Sequence, residues 1–183
     1  MGTRARKGEV QWMNTYLGWA PQTWVKDRTP LTAELASQVP NHSADSLVLV
    51  VPADGRIQHP SGAQSLRLHL LNPTARPVPI ERADATLMGL SLLLWVDGRW
   101  VQPVFPMQTY CGNSFWQDTL APRSVLTLEL DADNFYRGTV PVDARARAQV
   151  GKVVVKSAVF TVQLSPLQLY YLRHPRVPLP TIN

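Results

Sequence analysis

A single cysteine, Cys111, stands in a chain of 183 residues. No disulfide can close within the chain and no multi-cysteine zinc site can form, so the fold must stand on its apolar core alone. Long hydrophobic runs are also missing. The longest, LMGLSLLLWV at 87–96, has the length of a strand with its approach and falls far short of the roughly 18 residues that span a bilayer. The chain therefore reads as soluble. Its first residues, MGTRARKGEV, carry positive charge without an apolar segment behind them, which is not a secretory signal. A periplasmic or cell-surface location is expected only if a signal peptide has been removed.

Catalytic signatures are scarce as well. Neither a glycine-rich phosphate loop nor a Gly-x-Ser-x-Gly elbow occurs. The histidines His42, His59, His69 and His174 show no metal-ligand spacing. Cys111 lies in TYCGNSFW with no signature of a partner base. The acidic stretch DADN at 131–134 lacks the glycine and the distant glutamate of a calcium loop and reads as a turn between strands. A non-enzyme with no cofactor and no metal is expected.

The net charge of +5 and a pI near 9.7 permit an anionic partner. The cations are spread thinly apart from Arg4, Arg6 and Lys7 at one end and Arg173 and Arg176 at the other. A nucleic-acid footprint concentrates them, so nucleic acid is not favoured as a partner.

What the sequence does contain divides into three parts. Residues 1–45 hold Trp12, Trp19 and Trp24 among prolines and polar residues and read as an irregular, aromatic-rich segment. Within it, PLTAELASQV repeats Leu31, Leu35 and Val39 between Pro30 and Pro40, which fits one short helix or an irregular strand. Residues 46–164 show short apolar runs and turn residues at intervals of about ten, the spacing of an all-β sandwich or barrel. SLVLVV reads as a buried strand, and SLRLHLL stops at the Asn72–Pro73 turn. In LLLWVDGRWV, Asp97 and Gly98 predict a tight two-residue hairpin. In VLTLEL, Leu126, Leu128 and Leu130 share one face.

The stretch DARARAQV at 143–150 alternates strictly. A period of two puts Val142, Ala144, Ala146, Ala148 and Val150 on one face, and Asp143, Arg145, Arg147 and Gln149 on the other. Small inward residues suit a close approach by an opposing sheet. After Gly151 and Lys152 a long final strand is expected, with Ala158, Phe160, Val162 and Leu164 inward. The opposite parity of Val153 and Val155 predicts a bulge near Lys156 and Ser157. Residues 165–183 read as a proline-rich extended tail.

The order LRLHLLNPTARPV, TLAPRSVLTLEL, YRGTVPVDARARAQ, VKSAVFTVQL resembles the immunoglobulin-like or fibronectin-like sandwich domains of bacterial surface and periplasmic proteins. Arg123 stands where such turns usually have glycine. The resemblance implies an antiparallel immunoglobulin-like β-sandwich and carries no ligand with it.

Binding is then the expected role: a non-catalytic protein-interaction or structural module of a larger, extracytoplasmic assembly. Its partner would be another protein or further copies of the chain. Trp19, Trp24, Tyr170 and Tyr171 are the expected anchors, because exposed tryptophan and tyrosine dominate interfaces. A carbohydrate-binding module, or a jelly-roll coat or shell protein with a basic arm, are the alternatives.

Overall fold

A computed structural model describes residues 23–39, 46–103 and 114–174. The described chain is all-β, with two short helices and a 3-10 turn. Its strands in order are β1 Thr23–Pro30, β2 Val48–Val50, β3 Arg56–Gln58, β4 Gln64–Asn72, β5 Val78–Ala83, β6 Thr86–Leu87, β7 Leu90–Val96, β8 Arg99–Val101, β9 Phe115–Leu120, β10 Ser124–Asp131, β11 Val140–Val150, β12 Val153–Lys156 and β13 Phe160–Leu164. The helices are α1 Ala33–Ser37 and α2 Pro166–Arg173. Among the described residues, no helix is long and apolar enough to cross a membrane.

Every pairing between strands is antiparallel. The first sheet runs β1-β10-β4-β2, with β3 also on β4; the second runs β12-β11-β7-β8, with β13 also on β11; the third is β6-β5-β9. The second sheet curls into half a barrel. The layered antiparallel arrangement is consistent with a sandwich.

The period of two decides what lies inside. Leu66, Leu68 and Leu70 of β4 and Leu126, Leu128 and Leu130 of β10 meet Leu92 and Leu94 of β7, with Ile80 and Leu120 from the third sheet, in one buried cluster. On β11, Val142, Ala144, Ala146, Ala148 and Val150 all point into that cluster, as the alternation requires. Their small size lets β11 come close to β2 and β5 across the core.

The Asp97–Gly98 hairpin joins β7 to β8 with φ of 49° and 80°, the left-handed pair that a two-residue turn of this kind demands. Arg123 has φ of 51°, so it adopts the conformation that a glycine would usually supply.

Several expectations are corrected. β1 lies inside the segment read as irregular, because its backbone pairs with β10 from Thr23 to Pro30; Pro30 ends a strand instead of opening a helix. The helix begins after Thr32, whose hydroxyl accepts from the Leu35 N–H at 3.3 Å. β2 buries only Leu49, with Val48 and Val50 half-buried, since it is an edge strand of its sheet.

The expected final strand is two strands. Between the pairs Arg147↔Lys156 and Ala144↔Phe160, the outer strand carries one residue more than β11, which is the bulge the parity change requires. Ser157 fills the gap: its N–H donates to the Ala146 carbonyl at 2.9 Å, and its hydroxyl accepts from the Ala146 N–H at 3.0 Å. Ala158 is exposed in this break, not inward, whereas Val162 and Leu164 are buried as expected.

The start of the expected extended tail is a helix. Ser165 and Gln168 form a reciprocal capping box ahead of α2, with Pro166 in its first turn, a local signal strong enough to start a helix. Gln168 Nε2 also donates to the Asn134 carbonyl at 3.0 Å, and Leu172 is buried, so α2 is docked on the sheets.

Candidate functional site

Of the four expected anchors, Trp24, Tyr170 and Tyr171 are among the described residues. Trp19 lies outside the described residues, as do Cys111 and His42. Trp24 is half-buried on β1 opposite Glu129, with Lys26 Nζ 5.8 Å from its ring centre. Tyr170 is exposed and Tyr171 is packed against the core, their rings 5.5 Å apart edge to face on α2. No described contact joins Trp24 to either tyrosine.

A site unread in the sequence lies on the third sheet. Phe115 and Trp116 are successive residues of β9, 53% and 47% exposed. Around them an open hollow of about 480 Å³ is lined by Glu81, Arg82, Met88, Phe115, Trp116 and Gln117. Trp116 does not hang loose. Its Nε1 donates to the Asp84 carbonyl at 3.2 Å, and the Arg82 guanidinium carbon lies 4.9 Å from its ring centre.

Arg82 is buried, with Nε donating to the Thr86 carbonyl at 2.9 Å and Nη1 3.1 Å from Asp118 Oδ2. Arg28 of β1 forks onto both Asp118 oxygens. Burial alone would raise the Asp118 carboxyl. The hydrogen bonds from Arg28 and the Thr119 N–H, with the charges of Arg28 and Arg82, overrule burial and hold it below the usual carboxylate range. The tryptophan therefore rests on an arginine that is itself pinned, and the pin ties the third sheet to the first.

A second cluster has the residue types of a hydrolase without the arrangement. Ser65 Oγ donates to Glu129 Oε1 at 2.9 Å and lies 2.8 Å from His59 Nε2. The same His59 nitrogen is 3.1 Å from Glu129, and Lys26 Nζ is 3.3 Å from the other carboxylate oxygen. A nucleophilic serine gives its proton to histidine while the acid holds the opposite ring nitrogen. Here the serine hydroxyl is committed to the acid and is 3% exposed. The trio fastens β4, β10 and the residue that follows β3 together. Burial would raise Glu129, yet the hydrogen bonds from Ser65 and Lys26 leave it low. Beside it, His69 Nδ1 is 3.1 Å from Thr127 Oγ1, and burial, then Arg67, push His69 down.

Asp131 accepts from the Asp133 N–H at 3.2 Å, and Asp133 pairs with Arg137. This stretch is a turn. Among the described residues, no group of three or more metal-ligating side chains comes together. No family model matches the chain, and no curated protein matches it in sequence.

The exposed aromatics of β9 could have been suspected from FW in GNSFWQD, where two large rings follow each other without the alternation of a half-buried strand. That Arg82 would reach Trp116 is a matter of register, Arg82 standing opposite Trp116, and register is not written in either segment.

Proposed function

We propose that the chain is an immunoglobulin-like β-sandwich serving as a non-catalytic protein-interaction module of a larger extracytoplasmic assembly, with Trp116 as its anchor. The observation that carries this reading is the half-exposed Trp116 ring, held by the Asp84 carbonyl and stacked on Arg82. A tryptophan fixed before binding loses little rotamer freedom on association, and tryptophan and arginine are both enriched at the energetic centre of interfaces. The hollow beside it gives a partner side chain somewhere to go.

The test is capture from the native extract with wild-type protein and Trp116→Ala. A captured protein is identified by mass spectrometry and titrated calorimetrically. Trp116→Ala is expected to weaken binding by about 30-fold or more, the size of a true anchor, with the melting temperature unchanged. Equal affinity of the two proteins refutes the site. Large symmetric particles in light scattering, unaffected by the substitution, would move the role to a shell protein.

A further inference from the structure

The outward face of the second sheet combines features that the protein-binding site does not use. Register places Arg145 beside Leu93 and Arg147 beside both Ser91 and Lys156. Trp95 and Trp100 sit opposite each other on β7 and β8, ring centres 5.1 Å apart edge to face, with Trp95 42% exposed. The Arg145 guanidinium carbon is 4.9 Å from the Trp100 ring centre. Three cations and two indoles thus share one surface. Spread along the sequence they look scattered, and antiparallel pairing brings them together.

Among the described residues no carboxylate pairs with Arg145, Arg147 or Lys156, nor with Arg56, Arg76, Arg99, Arg123 or Lys152, whereas Lys26, Arg28, Arg67, Arg82, Arg137 and Arg173 all have one; Arg147 Nη2 donates to Gln149 Oε1 at 3.1 Å. Asp97, near the hairpin, is taken by Arg173. Asp143, opposite Thr161, is the one acid on the outward face of β11. A second, separate observation points to the same face. The buried side-chain polar atoms without a hydrogen-bond partner among the described residues are Ser91 Oγ and Arg145 Nε, and both belong here. Ser91 is 8% exposed. A guanidinium N–H only donates, so the complement that Arg145 Nε lacks is an acceptor; the Ser91 hydroxyl, which donates and accepts, can take a partner of either kind.

We propose that this face binds single-stranded nucleic acid. Anionic acceptor oxygens would answer Arg145, Arg147 and Lys156, and flat rings would answer Trp95. Alternate residues of one strand stand about 6.8 Å apart, a spacing that a flexible phosphodiester chain can follow. Base stacking on an aromatic side chain tolerates any sequence. An acidic peptide would satisfy the cations but leave the indole bare, and a duplex hides its base faces.

The test is fluorescence anisotropy of the full chain with labelled 15-nucleotide oligo-dT and oligo-U, titrated between 50 and 200 mM salt. Three phosphate contacts on a single strand predict a log–log salt slope of about −2, a loss of roughly 20-fold across that range. The variant Arg145→Gln/Arg147→Gln/Lys156→Gln is expected to flatten the slope, and Arg147→Gln alone to remove about a third of it. Trp95→Ala is expected to lose about fivefold or more in affinity with the slope kept, and Trp95→Phe to restore most of that loss. The matching duplex is expected to bind more weakly. Thermal melts confirm that each variant is folded. Absence of oligonucleotide binding at 50 mM salt overturns the proposal, as does binding that the triple variant leaves unchanged. Equal, equally variant-sensitive binding of polyglutamate overturns it too, in favour of a general acidic partner.

Discussion

Asn72 offers the sharpest test of how this fold is held. It ends β4, is fully buried, and its amide nitrogen donates to the carbonyls of Arg76, Leu120 and Ala121 at 2.8, 3.1 and 2.9 Å. Its oxygen accepts from the N–H and hydroxyl of Thr74 at 3.2 and 2.8 Å. One side chain thereby closes the turn after β4 and ties it to the end of β9. An amide has two hydrogens, so one of them is shared between two of the three acceptors.

Asn72→Ala removes all of these bonds. The Leu120 contact is buried and its carbonyl would lose its partner at about 1–3 kcal/mol, with about 0.5–1 kcal/mol for each part-buried carbonyl. We expect a loss of about 3 kcal/mol, or a melting temperature roughly 6–12 °C lower. Asn72→Asp keeps the shape but turns a carboxylate oxygen toward three carbonyls, which costs more at neutral pH. Burial among acceptors raises the folded pKa of this Asp above its unfolded value. The variant should therefore recover stability as pH falls, where its protonated form regains one donor. Urea unfolding of the three proteins at pH 4 and pH 7 decides it. A loss under about 1 kcal/mol for Asn72→Ala, or an Asn72→Asp deficit that does not shrink on acidification, would refute the reasoning.

Other expectations follow from the same geometry. A Cβ built on Gly138 would lie 1.9 Å from the Leu164 carbonyl carbon, against backbone that cannot yield. Gly138→Ala should abolish cooperative folding, while Gly98→Ala, with open space around it and only its φ of 80° to strain, should cost about 1–2 kcal/mol by calorimetry. Ser157→Ala strands the buried Ala146 N–H and should cost about 1–3 kcal/mol in urea unfolding. His69, Asp118 and Glu129 all have folded pKa values below their ordinary ones. Each contributes stability that is present above its unfolded pKa and lost as pH falls. Stability should decline in two stages, first below about pH 6.5 and then below about pH 4. His69→Gln should remove the first stage and Asp118→Asn should weaken the second, with melts from pH 8 to pH 2.5 as the check.

The period of two was enough to assign the inward leucines of β4 and β10 and the inward alanines of β11, because alternation along a strand is a local property that packing only ratifies. The Asp97–Gly98 hairpin and the bulge at Ser157 were legible for the same reason: a turn chemistry and a parity change each sit within a few residues. The capping box before α2 is equally local, in SPLQ, although the prolines that follow favour an extended chain. β1 escaped notice because its residues, TWVKDRTP, alternate poorly; its strand character comes from pairing with β10, which lies a hundred residues away.

What only the tertiary structure decided is which strands are neighbours. Register sets Arg82 against Trp116 on one sheet, and puts Arg145 and Arg147 on the same outward face as the Trp95–Trp100 pair on another, and with them both candidate surfaces. Sequence determined the faces of individual strands, since a side chain's direction depends on its own backbone. The sites depend on which faces are laid side by side, and that choice belongs to the burial of the whole core.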